Sequence, residues 1–447
     1  MIDVNSDGKS EIVTYTDGKL NIYSNLSDGS LKRLTVGASE NSRIYYDKAD
    51  KTIAFVDSDS GEGKAYRLGD ETFEINESVD SGKIASMTEE GILIGAEELI
   101  SSGDCGEGNR WTYFKEESLL YLTGTLENFK YPAEDVVDTP WSKYRQEVSS
   151  VILSDEATVV PDHLCYICGA LSEVQLGKSV QKIGTNAFES CDSLKKITLP
   201  PTVTEIGTLA FSKSAITEIS IGAAVTAIGE DAFFECKSLE KIFVDSSNTN
   251  YASDSDGVLY SNDYRNLITY PAGSKAVQYN MIESTENVEK NAFAGCENIT
   301  HIYFSDRVKT VGAAAFKGCS ALELAELPNS LEVISESMFE NCGNLLYVDA
   351  SGRVTDIETL AFANCTKLET VKLSSSLKNI GKQAFLNCTG TEKITVPSSV
   401  KYVGANAFEG WTSSQTIEID NSKRNISDWH SGWQKSCKAE VSFTRII

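Results

Sequence analysis

Apolar positions in this chain keep neither the alternation of a long strand nor the 3.6-residue spacing of a long helix. In one stretch they fall at Leu368, Val371, Leu373, Leu377, Ile380, Ala384, Phe385 and Cys388. LETVKL at 368–373 alternates like a short strand, and GKQAFLNC at 381–388 is spaced like one or two helical turns. The same order of residues then returns. Phe293, Phe316, Phe339, Phe362, Phe385 and Phe408 stand 23 residues apart. Phe188, Phe211 and Phe233 extend the series upstream at steps of 23 and 22, and Cys165 fills the same slot one period earlier. One step is long, 60 residues from Phe233 to Phe293. A unit this short cannot bury its own apolar face, whereas stacked copies can. The periodicity therefore predicts a solenoid, with parallel strands about 4.8 Å apart lining one face.

The unit L-x-x-I-x-L-P-x-x-V-x-x-I-G-x-x-A-F-x-x-C resembles the BspA-like leucine-rich repeat family of bacterial surface proteins. SLKKITLPPTVTEIGTLAF at 193–211 and SVKYVGANAFEG at 399–410 carry the likeness most fully. The long step resembles that family's extended repeat, with extra strands inserted at 245–287, and 101–150 resembles the segment that precedes the repeats. The resemblance implies an α/β fold class: a right-handed leucine-rich-repeat solenoid of parallel strands and short helical turns over 151–447. It also implies a surface-exposed or secreted protein engaged in adhesion. Lys290, Ser335 and Glu358 stand where the pattern has glycine. That turn therefore cannot demand a positive φ in every unit. Open solenoid ends need covering, and Trp111 and Trp141 before the repeats, with Trp411, Trp429 and Trp433 at the C-terminus, are read as caps.

Residues 1–100 lack the rhythm. EIVTYTDGKLNIYS reads as a hairpin turning at Asp17-Gly18, and further short apolar runs read as an antiparallel β module. At its start, DVNSDGKSE sets Asp3, Asn5, Asp7 and Glu11 at close spacing around Gly8. Ca²⁺ takes six to eight oxygens from such loops. An EF-hand would need an acid where Thr14 stands. The stretch instead resembles the loops of FG-GAP and VCBS repeats, and that resemblance implies Ca²⁺ at these four residues. The alternative is an acidic turn near a chain end. The opening residues read as the inside of a module, so a longer natural chain is expected.

Cys191, Cys236, Cys296, Cys319, Cys342, Cys365 and Cys388 each follow the phenylalanine slot by three, with Ser214 and Trp411 as replacements. On a helical turn these positions share a face, so the thiols are expected in the core. A zinc site needs four ligands converging on a point, not a line of one per coil. Disulfides between adjacent coils remain the alternative. Cys165 and Cys168 form a C-x-x-C only because Cys165 occupies the phenylalanine slot.

A net charge of −25 argues against nucleic acid and against anionic membranes. No apolar run reaches the roughly 20 residues of a membrane span. The three histidines, His163, His301 and His430, fall in distant units, and no P-loop, G-x-S-x-G or H-E-x-x-H occurs. The expected partner is thus an extracellular protein or glycan, bound by a monomer without catalysis. A component of a polysaccharide-utilisation system and an enzyme with an unrecognised carboxylate site are the alternatives. Outward strand positions are mostly small or charged, except Phe243, His301, Tyr303, Leu324 and Tyr347. These five are the candidate binding residues. The inserted segment, with Tyr251, Tyr260, Tyr264 and Tyr270, could instead fold over them.

Overall fold

The computed structural model describes residues 100–444 except 116, 130, 132–137 and 421–425, with the backbone of seven strands nearer the N-terminus. Contacts divide the chain into two units, Met1–Ser101 with Phe114–Glu117, and Ser102–Tyr113 with Ser118–Ile447. In the first unit Ile12–Thr16, Lys19–Asn25 and Leu31–Gly37 pair antiparallel. Ser42–Asp47, Thr52–Asp57, Gly63–Leu68 and Phe73–Ile75 do the same.

The second unit is a parallel-strand solenoid, and one coil shows how it is made. Tyr347–Ala350 forms a longer strand, Asp356–Ile357 a two-residue strand, and Glu358–Cys365 a chain of turns leading to the next coil. Val348, Ala350, Val354, Ile357, Ala361, Phe362, Cys365 and Leu368 point inward and are buried. Each strand pairs in parallel with its equivalent one coil on, Tyr347 beside Thr370 and Asp356 beside Asn379. The coil thus has three walls: long strands, short strands and turns.

The turn wall departs from expectation. Among the described residues helical backbone is confined to a 3-10 turn at Ser142–Tyr144 and to Ile426. The solenoid is all-β in its regular structure. The reason lies in two left-handed residues per coil, four apart, such as Leu360 (φ 59°) and Asn364 (φ 63°). They break the helical ladder into alternating bonds. Ala361, Ala363 and Cys365 donate their N–H three residues back, to Glu358, Leu360 and Phe362. Leu360, Phe362 and Asn364 donate theirs across to Lys382, Ala384 and Leu386 of the next coil. Asparagine tolerates the left-handed region, and it fills one of these positions at Asn186, Asn291, Asn341, Asn364, Asn387 and Asn406. The glycine slot has a different cause. A Cβ on Gly381 would come within 2.5 Å of the Glu358 carbonyl carbon, so neighbouring coils approach closely there.

Inside, phenylalanine rings stack in columns. Centroids of successive rings lie 4.9–5.9 Å apart from Phe188 to Phe233 and from Phe293 to Phe408, within the favourable range for aromatic pairs. The cysteines have a defined role beside them. The Cys365 thiol donates to the Phe339 carbonyl of the preceding coil at 3.1 Å, and Cys236, Cys319, Cys342 and Cys388 make the equivalent bond to Phe211, Phe293, Phe316 and Phe362. Where Trp411 replaces cysteine, its indole N–H reaches Phe385 O at 2.9 Å instead. Trp433 then meets the last ring, Phe408, edge-on at 6.1 Å. At the other end the Trp141 indole N–H donates to Leu164 O at 2.9 Å.

All eleven cysteines are free, and every one but Cys437 is buried. Burial pushes the Cys236 thiol up to about 12 and raises those of Cys365 and Cys388 as well. Thiolate is the reactive form. A thiol reagent at pH 8 is therefore expected to label Cys437 first and the others only on unfolding; oxidised pairs in the native protein would contradict this ladder. Phe362→Ala is expected to lower stability by about 3–5 kcal/mol, read from a urea transition.

Candidate functional site

The long-strand wall carries the candidate residues. Gln278–Asn280, His301–Tyr303, Leu324–Glu326, Tyr347–Ala350 and Thr370–Leu373 form one parallel sheet. Register sets Gln278, His301, Leu324, Tyr347 and Thr370 side by side in one outward row. A second row places Tyr303 between Asn280 and Glu326, with Asp349 beside Lys372 further on. Between the rows Ile302, Ala325 and Val348 point into the core. Side-chain alternation along a strand is what separates the two sets.

His301, Tyr303, Leu324 and Tyr347 are each half-buried, so every one keeps an accessible edge. The His301 and Tyr303 rings lie nearly parallel, 6.4 Å apart at 17°, and His301 Nδ1 is 2.8 Å from Thr300 Oγ1. Tyr347 donates its hydroxyl to Asp349 Oδ2 at 2.9 Å. Lys372 Nζ lies 3.3 Å from that oxygen and 5.3 Å from the centre of the Tyr347 ring. This cation over an aromatic face adds attraction and fixes the ring. Asp349 and Lys372 complete the cluster and do not show as apolar exceptions in the sequence. The signal for them is the repeat itself, since 349 and 372 are one period apart.

Phe243 stands apart. Its strand, Lys241–Val244, pairs with Glu218–Ile221 in a separate two-stranded sheet, where the ring is 47% exposed. The inserted segment lies between these sheets in sequence but builds another wall. Tyr251–Ser253, Leu259–Ser261 and Asn266–Thr269 form an antiparallel meander, and its last strand pairs in parallel with the short strand Asn287–Val288. Tyr260 and Tyr270 are buried in the core. Tyr260 and Tyr279 hydroxyls meet at 2.6 Å, and Tyr279 donates to Asp254 Oδ2 at 2.7 Å. The insertion is part of the solenoid wall and leaves the aromatic rows accessible. Asp3, Asn5, Asp7 and Glu11 lie outside the described residues.

A family model, the BspA type leucine rich repeat region, matches residues 158–287, 271–369 and 355–431. The chain belongs to this family. Solved structures of low sequence identity share the fold. A leucine-rich repeat protein from Eubacterium ventriosum is 23% identical with a TM-score of 0.56, over 70% of this chain and 95% of that one. A leucine rich cell surface protein from Faecalibacterium prausnitzii is 22% identical with a TM-score of 0.50, over 72% and 95%. The pneumococcal vaccine antigen PcpA is 17% identical with a TM-score of 0.55, over 76% and 98%. At these identities the likeness is one of fold. No curated protein matches the chain in sequence. No helix among the described residues is long and apolar enough to cross a membrane.

The charged end of the aromatic row has a measurable signature. Burial acts to raise the Asp349 pKa, but hydrogen bonds from Ser351, Tyr347 and Lys372 outweigh it and hold the carboxyl at about 2. This lies below the ordinary carboxylate value of about 3.9. The stability it contributes is thus complete above about pH 4 and lost as pH falls through about 2. A carbon-detected NMR titration is expected to place the Asp349 midpoint near that value, and to move it upward in Lys372→Met.

Proposed function

We propose that this protein is a non-enzymatic, surface-exposed binding or adhesion protein that holds an extracellular protein or glycan on its long-strand wall. The observation that carries the reading is the cluster of His301, Tyr303, Leu324 and Tyr347, accessible on adjacent strands of one sheet. Apart from Phe243 the other outward strand positions are mostly small, polar or charged, and clustered accessible aromatics are the usual anchors of recognition surfaces. Strand pairing holds the row rigid, so little ordering accompanies binding. Phe243 belongs to the same wall and extends the surface beyond the insertion. Membership of the BspA-type family supports a binding role, and the cell-surface relative of the same fold supports an extracellular or cell-surface location. Ca²⁺ at Asp3, Asn5, Asp7 and Glu11 belongs to the proposal, as does the antiparallel β module at 1–100. A calcium titration followed by calorimetry tests the loop directly.

The partner is tested by a pull-down against extracellular-matrix proteins run beside a glycan array. Binding to one of them is expected, weakened at least about tenfold by Tyr303→Ala with Tyr347→Ala. Unchanged binding in the double variant would remove the site from this wall. Hydrolysis of a polysaccharide by the purified chain would overturn the non-enzymatic reading.

A further inference from the structure

The turn wall is broken at one place, and the break is shaped. In eight coils the left-handed residue, the phenylalanine-slot residue and the next left-handed residue each donate an N–H to the following coil. Asn291, Phe293 and Gly295 donate to Ala313, Ala315 and Lys317, for example, and Leu209, Phe211 and Lys213 to Glu230, Ala232 and Phe234. The coil of Phe233 does not. Among the described residues the N–H groups of Asp231, Phe233 and Glu235 have no partner, and neither do the Lys290 and Ala294 carbonyls opposite. The third carbonyl of that row, Ala292 O, accepts from Tyr270 N at 2.7 Å.

The insertion explains the gap. Tyr270 stacks on Phe293 at 4.8 Å, so it supplies the ring of an extra layer. It does not supply the turn segment that carries the ring in every other coil. What remains is a cavity of about 310 Å³ between Gly229–Glu235 and Glu289–Ala294, floored by Ile268–Tyr270. Its lining toward the core is small at Ala272, Ala292 and Ala294. Side chains lace across its mouth. Lys290 Nζ lies 2.6 Å from Glu230 and 3.7 Å from Asp231, and Asn291 Nδ2 donates to both Asp231 carboxylate oxygens at 2.9 and 3.0 Å. The Lys290–Glu230 pair is more than half exposed on both sides, and such pairs contribute little and open readily.

We propose that this slot takes an extended peptide segment from a partner protein, which completes the missing layer of the turn wall. Its carbonyls accept from Asp231, Phe233 and Glu235, and its N–H groups donate to Lys290 and Ala294. Rungs at alternate residues require about five residues of partner chain. Main-chain pairing supplies the affinity, and the alanine lining admits only small side chains at the inward positions. Glu230, Asp231, Glu235 and Glu289 outnumber Lys290 around the slot, so basic flanking residues are favoured. The slot lies on a different wall from the aromatic row, and its occupancy is independent of that site.

The test is a display library of random seven-residue peptides panned against the full chain. Enriched peptides are expected to have small residues at alternate central positions and lysine or arginine at the ends. They should slow amide exchange at Asp231, Phe233 and Glu235, and lose at least about tenfold in affinity against Ala294→Leu, which narrows the slot. Glu230→Lys with Glu289→Lys changes only exposed rim residues, so folding is not at stake; it should abolish the preference for basic ends. Tyr303→Ala with Tyr347→Ala should leave peptide binding unchanged. The proposal is overturned if no peptide is enriched, or if those enriched are acidic. It also fails if peptides bind both slot variants as they bind the parent, or if a glycan protects the three amides instead.

Discussion

Each coil of this protein is completed only by the next. The turn wall cannot satisfy its own backbone, because two left-handed residues per coil divert every second N–H outward. Those donors are met by carbonyls one period further along, and a buried donor left without a partner costs roughly 1–3 kcal/mol. This requirement holds the repeat close to 23 residues, because the turn rungs, the strand pairs and the ring column must all stay in register from coil to coil. The step of 22 between Phe211 and Phe233 is absorbed with all three turn rungs intact. The step of 60 is not, and the slot in the turn wall results.

The cysteines follow from the same constraint. The carbonyls of Phe293, Phe316, Phe339 and Phe362 each accept from the cysteine N–H three residues on and also from a thiol in the following coil, as Phe339 O does from Cys342 N and Cys365 Sγ. A cysteine is small enough to sit beside the stacked rings and still carries a weak donor. Trp411 keeps the bond while adding bulk. Ser214 keeps a polar hydrogen and lies 3.7 Å from Cys236 Sγ.

Much of this architecture was legible in the residues. The phenylalanine period located the coils, the alternation in segments like LETVKL located the long strands, and the burial of the thiols follows from their phase. The helical turns were misread because A-F-x-x-C has helix-like spacing whether the chain runs as a helix or as linked turns. Only the left-handed asparagines distinguish the two, and they look like ordinary polar residues in a sequence. Four of the five outward aromatic and apolar candidates fall on one sheet, since register transmits the period faithfully from strand to strand. Phe243 was grouped with them because a linear reading cannot show that the insertion divides the long-strand wall. Asp349 and Lys372 were visible as positions, but their contact with Tyr347 depends on a diagonal reach between strands. The slot was foreshadowed only by the long step; that the extra layer brings a ring without its turn required three dimensions.

The ladder that joins the coils also sets how the molecule answers to force. A tether pulled at its two ends loads the stack along its axis, and the rungs part coil by coil rather than all at once. Each regular coil that opens releases 23 residues, about 3.3–3.6 Å of extended chain apiece. The coil of Phe233 meets that of Phe293 through side-chain bridges on the turn wall, where eight other coils use three backbone bonds. This boundary carries the fewest main-chain rungs of the turn wall, and a partner strand seated there would act as a splint.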